Sequence, residues 1–189
     1  MNTEVFLQFP VIETERMQLV RHDMRHAEQM FKLRTNTSVM KYLDAPMPKD
    51  IDEVRSKIRE NIDSFDHKSG IPWVITLKED GTAIGYASIW KIDHKNHRGE
   101  VGYALLPDYW GKGMATEAVT AIIRFGFENI GLHTMMANTN PSNEASQGLL
   151  KKLGFQQEAY HRQDYFFDGA YLDSAIFGLL RSDFFDAVS

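Results

Sequence analysis

The stretch from Glu100 to Glu128 constrains this chain most. Alternation from Glu100 to Leu106 predicts a strand, and Pro107 stops it. After Gly111-Lys112-Gly113 the period turns helical, with Ala118, Val119, Ile122 and Phe125 on one face of a helix from Ala115 to Glu128. A strand that feeds a helix through a glycine turn leaves the first helical amides without intrahelical acceptors, and the helix dipole adds partial positive charge at the same spot. Such a spot attracts an anion. Glycine at 111 and 113 lets the backbone approach a diphosphate without Cβ interference, Ala115 keeps the helix start small, and Lys112 adds positive charge to a chain of net charge −5. A lone Gly-x-Gly also serves as a plain turn into a helix. The spacing is neither G-x-x-x-x-G-K-[ST] nor the full G-x-G-x-x-G, which lowers ATP and NAD as ligands.

Around this unit, strand and helix periods alternate. Arg16 to Val20 alternates as a half-buried strand, and Asp23 offers an N-cap to a helix carrying Ala27, Met30, Phe31 and Leu33 on one face. Asp50-Ile51-Asp52-Glu53 has the form of a capping box, followed by Val54, Ile58, Ile62 and Phe65 at helical spacing. Trp73 to Leu77 and Ala83 to Trp90 read as strands joined by a hairpin at Glu79-Asp80-Gly81-Thr82; with Glu100 to Leu106 they form an antiparallel meander. Thr134 to Asn138 is a short strand. Ser142 or Asn143 caps a helix that ends at Gly154, with Phe155 packed back onto it. Glu158 to Phe167 and Tyr171 to Leu180 are strands about a turn at Asp168-Gly169. The order β-α-α-β-β-β-α-β-α-β-β, without linker or repeat, predicts a single mixed-sheet α/β domain over residues 1–189.

A chain of 189 residues is long enough for one buried core and short for two, and its 43% hydrophobic content argues against a disordered chain. Acids and bases are interspersed, so there is no basic footprint for nucleic acid and no direct nucleic-acid partner is expected. The absence of Cys removes disulfides, thiolate metal sites and Cys nucleophiles. The His residues are scattered, none paired at ligand spacing beside a carboxylate, and no metal is expected. His94 and His97 flank a turn and are expected in solvent. Met1-Asn2-Thr3-Glu4 lacks the basic start and apolar run of a signal peptide, and no segment reaches bilayer length. A cytoplasmic protein without membrane association is the expectation.

The run Gly102-Tyr103-Ala104-Leu105-Leu106-Pro107-Asp108-Tyr109-Trp110-Gly111-Lys112-Gly113-Met114-Ala115-Thr116-Glu117-Ala118 resembles the central motif of GNAT N-acetyltransferases, most of all the RimJ/RimL-like subgroup. Asn143-Glu144-Ala145-Ser146 with Leu153-Gly154-Phe155 resembles the family's next motif, and Asp168 to Ser174 resembles its tail. The resemblance runs from Glu15 to about Phe184. It implies a GNAT fold, with a mostly antiparallel central sheet flanked by helices, and acetyl-CoA as cosubstrate. It further implies that the strand at Ala104, Leu105 and Leu106 splays from its neighbour and offers backbone groups to the pantetheine arm. Gly111, Lys112, Gly113, Met114, Ala115 and Thr116 would then bind the pyrophosphate. One departure is Trp110, where the family has Gln or Arg; the main-chain cradle does not depend on that side chain, and Trp110 is expected as a core aromatic.

Acetyl transfer needs a neutral amine held at the thioester carbonyl, and stabilisation of the oxyanion that forms. Alternation places Glu100 on one face with Gly102 and Ala104, where the resemblance puts the thioester, so Glu100 is the candidate general base; its alternative is an ion pair with Arg98. Asn143 is a candidate for the cofactor arm and equally an N-cap. Ser146, one helical turn on, is the candidate acid for the leaving thiolate, or an exposed helical serine. Leu150 stands where many family members carry a Tyr acid. Lys151 and Lys152 are candidates for the cofactor's 3′-phosphate or a solvated face. Tyr160, His161, Arg162, Tyr165 and Phe166 border the acceptor groove by analogy. The implied reaction is direct transfer in a ternary complex to an amine acceptor: a protein N-terminus, or a small molecule such as a polyamine, amino acid or antibiotic. A non-catalytic acyl-CoA-binding module is the other reading. Monomer and homodimer are both compatible with the sequence.

Overall fold

In the computed structural model, which describes residues 1–187, the sheet begins with Ile12–Glu13 (β1) and Met17–Arg21 (β2). The final two residues of the expected 1–189 domain lie outside the described residues. Met17 and Leu19 are fully buried between more exposed neighbours, the period of two expected of a half-buried strand. The two residues of β1 count as a strand only through their pairing with Leu19 and Gln18, so no local period announces it. Asp23 accepts the Arg25 amide at 2.9 Å and caps a 3-10 turn that runs into Ala27–Thr35 (α1). A short helix not foreseen from the sequence, Thr37–Met40 (α2), is capped by Asn36. Asp50 accepts the amides of Asp52 and Glu53 at the head of Ile51–Asp66 (α3). Glu53 reaches back to the amide of Lys49 rather than Asp50, so the capping box closes one residue further out.

The meander forms as Ile71–Leu77 (β3), Ala83–Asp93 (β4) and Arg98–Leu105 (β5). β4 outruns its expected end at Trp90 through an irregularity in pairing between Trp90 and Asp93, and Leu106 falls outside β5. Then follow Met114–Phe125 (α4), which continues as a π turn at Gly126–Ile130, and Thr134–Thr139 (β6). Glu144–Lys152 (α5) ends in a Schellman motif: the Phe155 amide donates to Leu150 and that of Gly154 to Lys151, with Phe155 buried. Gln156–Phe167 (β7), Ala170–Leu180 (β8) and an unforeseen last helix, Arg181–Ala187 (α6), complete the fold.

The strands form one sheet in the order β1-β2-β3-β4-β5-β6-β8-β7, antiparallel throughout except at β5–β6. α4 packs Ala118, Val119, Ile122 and Ile123 against Trp73, Ile89, Val101 and Leu105. On the opposite face α1 and α3 bring Met30, Leu33, Val54 and Ile58 onto Val74 and Ala104. β5 therefore divides its side chains between two cores, odd positions to α4 and Ala104 to α1 and α3. Its parallel pairing with β6 covers Arg98↔Thr134, Gly99↔Met135 and Glu100↔Met136 and stops there. Beyond that point β5 stays paired to β4 as far as Leu105 and β6 to β8 as far as Thr139, and the two central strands part.

Candidate active site

The glycine turn adopts the conformation that its residue types permit. Gly111 and Gly113 have φ of 70° and 75°, a left-handed region in which an L-residue costs roughly 1–2 kcal/mol. Gly113 is the N-cap of α4 and supplies no side-chain acceptor, and the amides from Gly111 to Thr116 find none among the described residues. These donors and the helix dipole together make an anion cradle. Arg16 braces it: Nη1 donates to the Lys112 carbonyl at 2.8 Å, Nε to Glu117 Oε2 at 2.7 Å, and the Arg16 amide to Glu117 Oε1 at 2.9 Å. Burial raises the Glu117 pKa, but hydrogen bonds from Thr14 and Arg16 and the Arg16 charge outweigh it and hold the carboxyl below its ordinary value. Arg16 and Glu117 are 101 residues apart in the chain, so no sequence signal joins them. The Lys112 side chain is exposed and lies over the Tyr109 ring.

Beside the turn, a cleft of about 470 Å³ opens where β5 and β6 part. Its walls include Tyr103, Ala104 and Leu105 from β5, Gly111 and Gly113 from the turn, Met114, Ala115 and Thr116 from α4, and Asn143 and Ser146 from α5. Two candidates stand outside it. Leu106 packs toward the α1/α3 core, and Lys112 contributes no wall. Trp110 is not the core aromatic expected: it is 47% exposed, lines the cleft, and donates its indole N–H to the Leu105 carbonyl at 2.7 Å. Held in extended backbone just before the turn, its ring lies along the end of β5. Lys152 also lines the cleft and Lys151 does not.

Asn143 caps α5, its Oδ1 accepting the Ser146 amide at 3.1 Å. The Ser146 hydroxyl is 2.9 Å from the hydroxyl of Tyr103, a contact across 43 residues of chain that the sequence does not announce. Burial pushes the Tyr103 hydroxyl above its ordinary pKa, and the hydrogen bond with Ser146 offsets part of that. Leu150 is buried in the core that α4 shares with α5.

A second cavity, about 460 Å³, lies on the α1/α3 face. Gly102 lines this cavity and Tyr103 the cleft, so β5 is the partition between them. A Cβ added at Gly102 would approach Ser88 Oγ at 3.3 Å and Trp90 Nε1 at 3.7 Å. The charged residues of the wall are Arg34, Glu53 and Lys57. His22 also lines it, buried, with Nε2 at 3.4 Å from Asn61 Nδ2 and Nδ1 without a partner; burial, and then the neighbouring His26, lower its pKa to about 4. The segment between α2 and α3 borders both spaces, Tyr42 and Leu43 on the cleft and Pro46 and Pro48 on the second cavity. Asp44 between them accepts hydrogen bonds from Tyr165 and Asn140.

Glu100 shares a strand face with Gly102 and sits at the last β5–β6 pair. Its ion-pair partner is Lys91, at 3.0 Å, and Arg98 turns instead to Asp93. Glu100 lines neither cavity. Of the late-strand residues, only Tyr165 reaches the segment between the cavities. Tyr160 bonds Asp173, His161 faces Asp164, Phe166 packs on Tyr171, and Arg162 lies near Asp173. His94 and His97 are exposed in their turn. Among the described residues no group of three or more His, Asp or Glu is arranged to hold a metal ion, and no helix is long and apolar enough to cross a membrane.

Residues 16–156 match the family described as Acetyltransferase (GNAT) domain. The chain is 30% identical over 173 residues to the uncharacterized N-acetyltransferase YoaA of Bacillus subtilis (strain 168), spanning 92% of this chain and 98% of YoaA. It is 32% identical over 120 residues, 62% of each chain, to the ribosomal protein uS5 alanine N-acetyltransferase of Escherichia coli (strain K12). The solved spermidine N-acetyltransferase of Vibrio cholerae, in complex with CoA and spermine, superposes with a TM-score of 0.79 at 19% identity, over 89% of this chain and 98% of that one.

Proposed function

Because the chain belongs to the GNAT acetyltransferase family and is an N-acetyltransferase that uses acetyl-CoA, we propose that its acceptor is a singly charged primary amine, a peptide α-amine in the RimJ/RimL manner. The acceptor enters the cavity on the α1/α3 face while acetyl-CoA occupies the cleft on the other side of β5. The observation that carries this reading is the charge of the acceptor cavity: Glu53 is its one carboxylate, against the cations of Arg34 and Lys57, with His22 held neutral at pH 7. Each further ammonium of a polyamine brought near those cations costs about 1 kcal/mol or more, whereas the carboxylates or carbonyls of a peptide suit them. An α-amine, with a pKa near 8 against about 10.4 for lysine, also asks less of a base at neutral pH.

Within this reading the unpaired amides from Gly111 to Thr116 receive the pyrophosphate, and Asn143 and the end of β5 hold the arm. Glu100 lies on the acceptor face and Ser146 on the cofactor face. We assign proton acceptance from the amine to Glu100, acting through water because it lines neither cavity, and proton donation to the sulfur to Ser146. The test is a thiol-release assay with alanine-initiated peptides and spermidine as rival acceptors, repeated on Glu100→Gln. Peptide turnover exceeding that of spermidine, and falling about 10²-fold or more in Glu100→Gln with CoA affinity kept, is the expected result. Turnover of spermidine with none of peptides overturns the acceptor reading, and an undiminished Glu100→Gln overturns the base.

A further inference from the structure

We infer that Tyr103 supplies, through Ser146, the proton that the leaving CoA sulfur takes up; the inference rests on acetyl-CoA occupying the cleft beside β5. The Tyr103 and Ser146 hydroxyls are 2.9 Å apart and both line that cleft. Neither is free to wander. Ser146 sits in the first turn of α5 with its amide fixed by Asn143, and Tyr103 lies in β5 between Val101 and Leu105, both anchored in the α4 core. α5 brings no tyrosine of its own, since Leu150 faces the core. Tyr42 and Tyr109 also line the cleft, but each lies against a lysine, Lys41 and Lys112, and neither is bonded to a residue of α5.

The chemistry favours a pair over serine alone. A thiol titrates near 8.5 and a tyrosine near 10, so a phenol is much closer to a matched donor for a departing thiolate than an aliphatic hydroxyl is. Burial keeps Tyr103 protonated, and thus a donor, throughout the neutral range. The proton balance closes. The amine lone pair forms the C–N bond, the C–S bond breaks, and sulfur leaves with its electron pair. Ser146 gives its hydroxyl proton to sulfur as Tyr103 gives its own to Ser146 Oγ. The phenolate then recovers a proton from water, and the surplus proton of the amine departs on the Glu100 side. Tyr103 acts through Ser146, so it is a positioning residue that also restores the proton.

The test is Tyr103→Phe, set beside Ser146→Ala, the double variant and Tyr42→Phe. Expected is a fall in kcat of about 10²-fold in Tyr103→Phe, with CoA affinity by calorimetry and KM for acetyl-CoA unchanged. The alkaline limb of its kcat–pH profile should be lost, and one high-pH phenolate absorbance step of the free protein should disappear. The double variant should be no worse than the worse single one, as for residues that act as a unit. A Tyr103→Phe protein with undiminished kcat and an unchanged pH profile overturns the inference, as do losses that multiply in the double variant or a Tyr42→Phe protein that alone shows the defect. A wild-type protein that does not bind CoA overturns the cofactor reading itself, which calorimetry reports separately from turnover.

Discussion

At the scale of single residues, the turn makes the sharpest demand on side-chain identity. Gly113→Trp puts a bulky side chain at φ 75°, where its Cβ meets Arg16 Nη2 at 3.6 Å and the ring fills the cradle. The expected outcome is loss of CoA binding by calorimetry, with a drop of roughly 1–2 kcal/mol in unfolding free energy from the backbone strain. Unchanged CoA affinity would refute the pyrophosphate assignment. Gly111 and Gly113 could be read in the sequence because what they need, a left-handed backbone before a helix, is local. The Tyr103–Ser146 contact and the Arg16 brace could not, because each joins residues that only the folded sheet brings together. Alternation with Val101 and Leu105 makes Tyr103 look like ordinary core, and only the arrival of α5 above it gives its hydroxyl a partner. Trp110 misled for a related reason: its large apolar ring suggests burial, while its N–H found a carbonyl at the rim.

At the scale of elements, β5 leaves no room for a side chain at Gly85 of β4, where an added Cβ would lie 2.2 Å from the Ala104 carbonyl and 2.6 Å from Leu105 Cδ2. Gly85→Ala must push β5 outward at the residues that wall the cleft. The expected cost is about 1–3 kcal/mol in urea unfolding, together with a raised KM for acetyl-CoA, and a stability equal to wild type would contradict the close packing. A glycine inside an otherwise alternating strand marks such an approach, but Gly85 drew no reading of its own from the sequence. The long elements were legible: α3, α4 and the meander each repeat one period over enough residues to stand out. β1 and α2 are too short to carry a period, and α6 rests on the burial of Phe184 rather than on a pattern of its own.

At the scale of the whole molecule, the order of elements and the pairing within the meander were readable but the remaining neighbours in the sheet were not. The closing hairpin joins through β8, its second strand, leaving β7 at the edge, a choice fixed by the pairing of β8 with β6. Global stability also carries a pH signature. His22 is held neutral in the fold to about pH 4 but titrates near 6.5 when unfolded, so the unfolded chain takes up the proton first as pH falls. Its contribution is whole above about pH 6.5 and is lost between there and about pH 4, amounting to about 3 kcal/mol. Unfolding free energies across that range should show the decline, and His22→Gln should flatten it; an equal slope in both proteins would contradict the burial of a neutral imidazole.

The short parallel seam between β5 and β6 has a consequence for reactivity. An unbroken ladder is a wall: successive side chains project to opposite faces, and the backbone between them keeps groups resting on the two faces out of bonding reach. By halting after Glu100 and Met136 the ladder leaves β5 and β6 unbonded beyond that point, a window in the hydrogen-bonded wall. For the two ligands proposed here, that window is where a carbonyl carbon presented from one face and a nitrogen presented from the other can meet without either molecule crossing over.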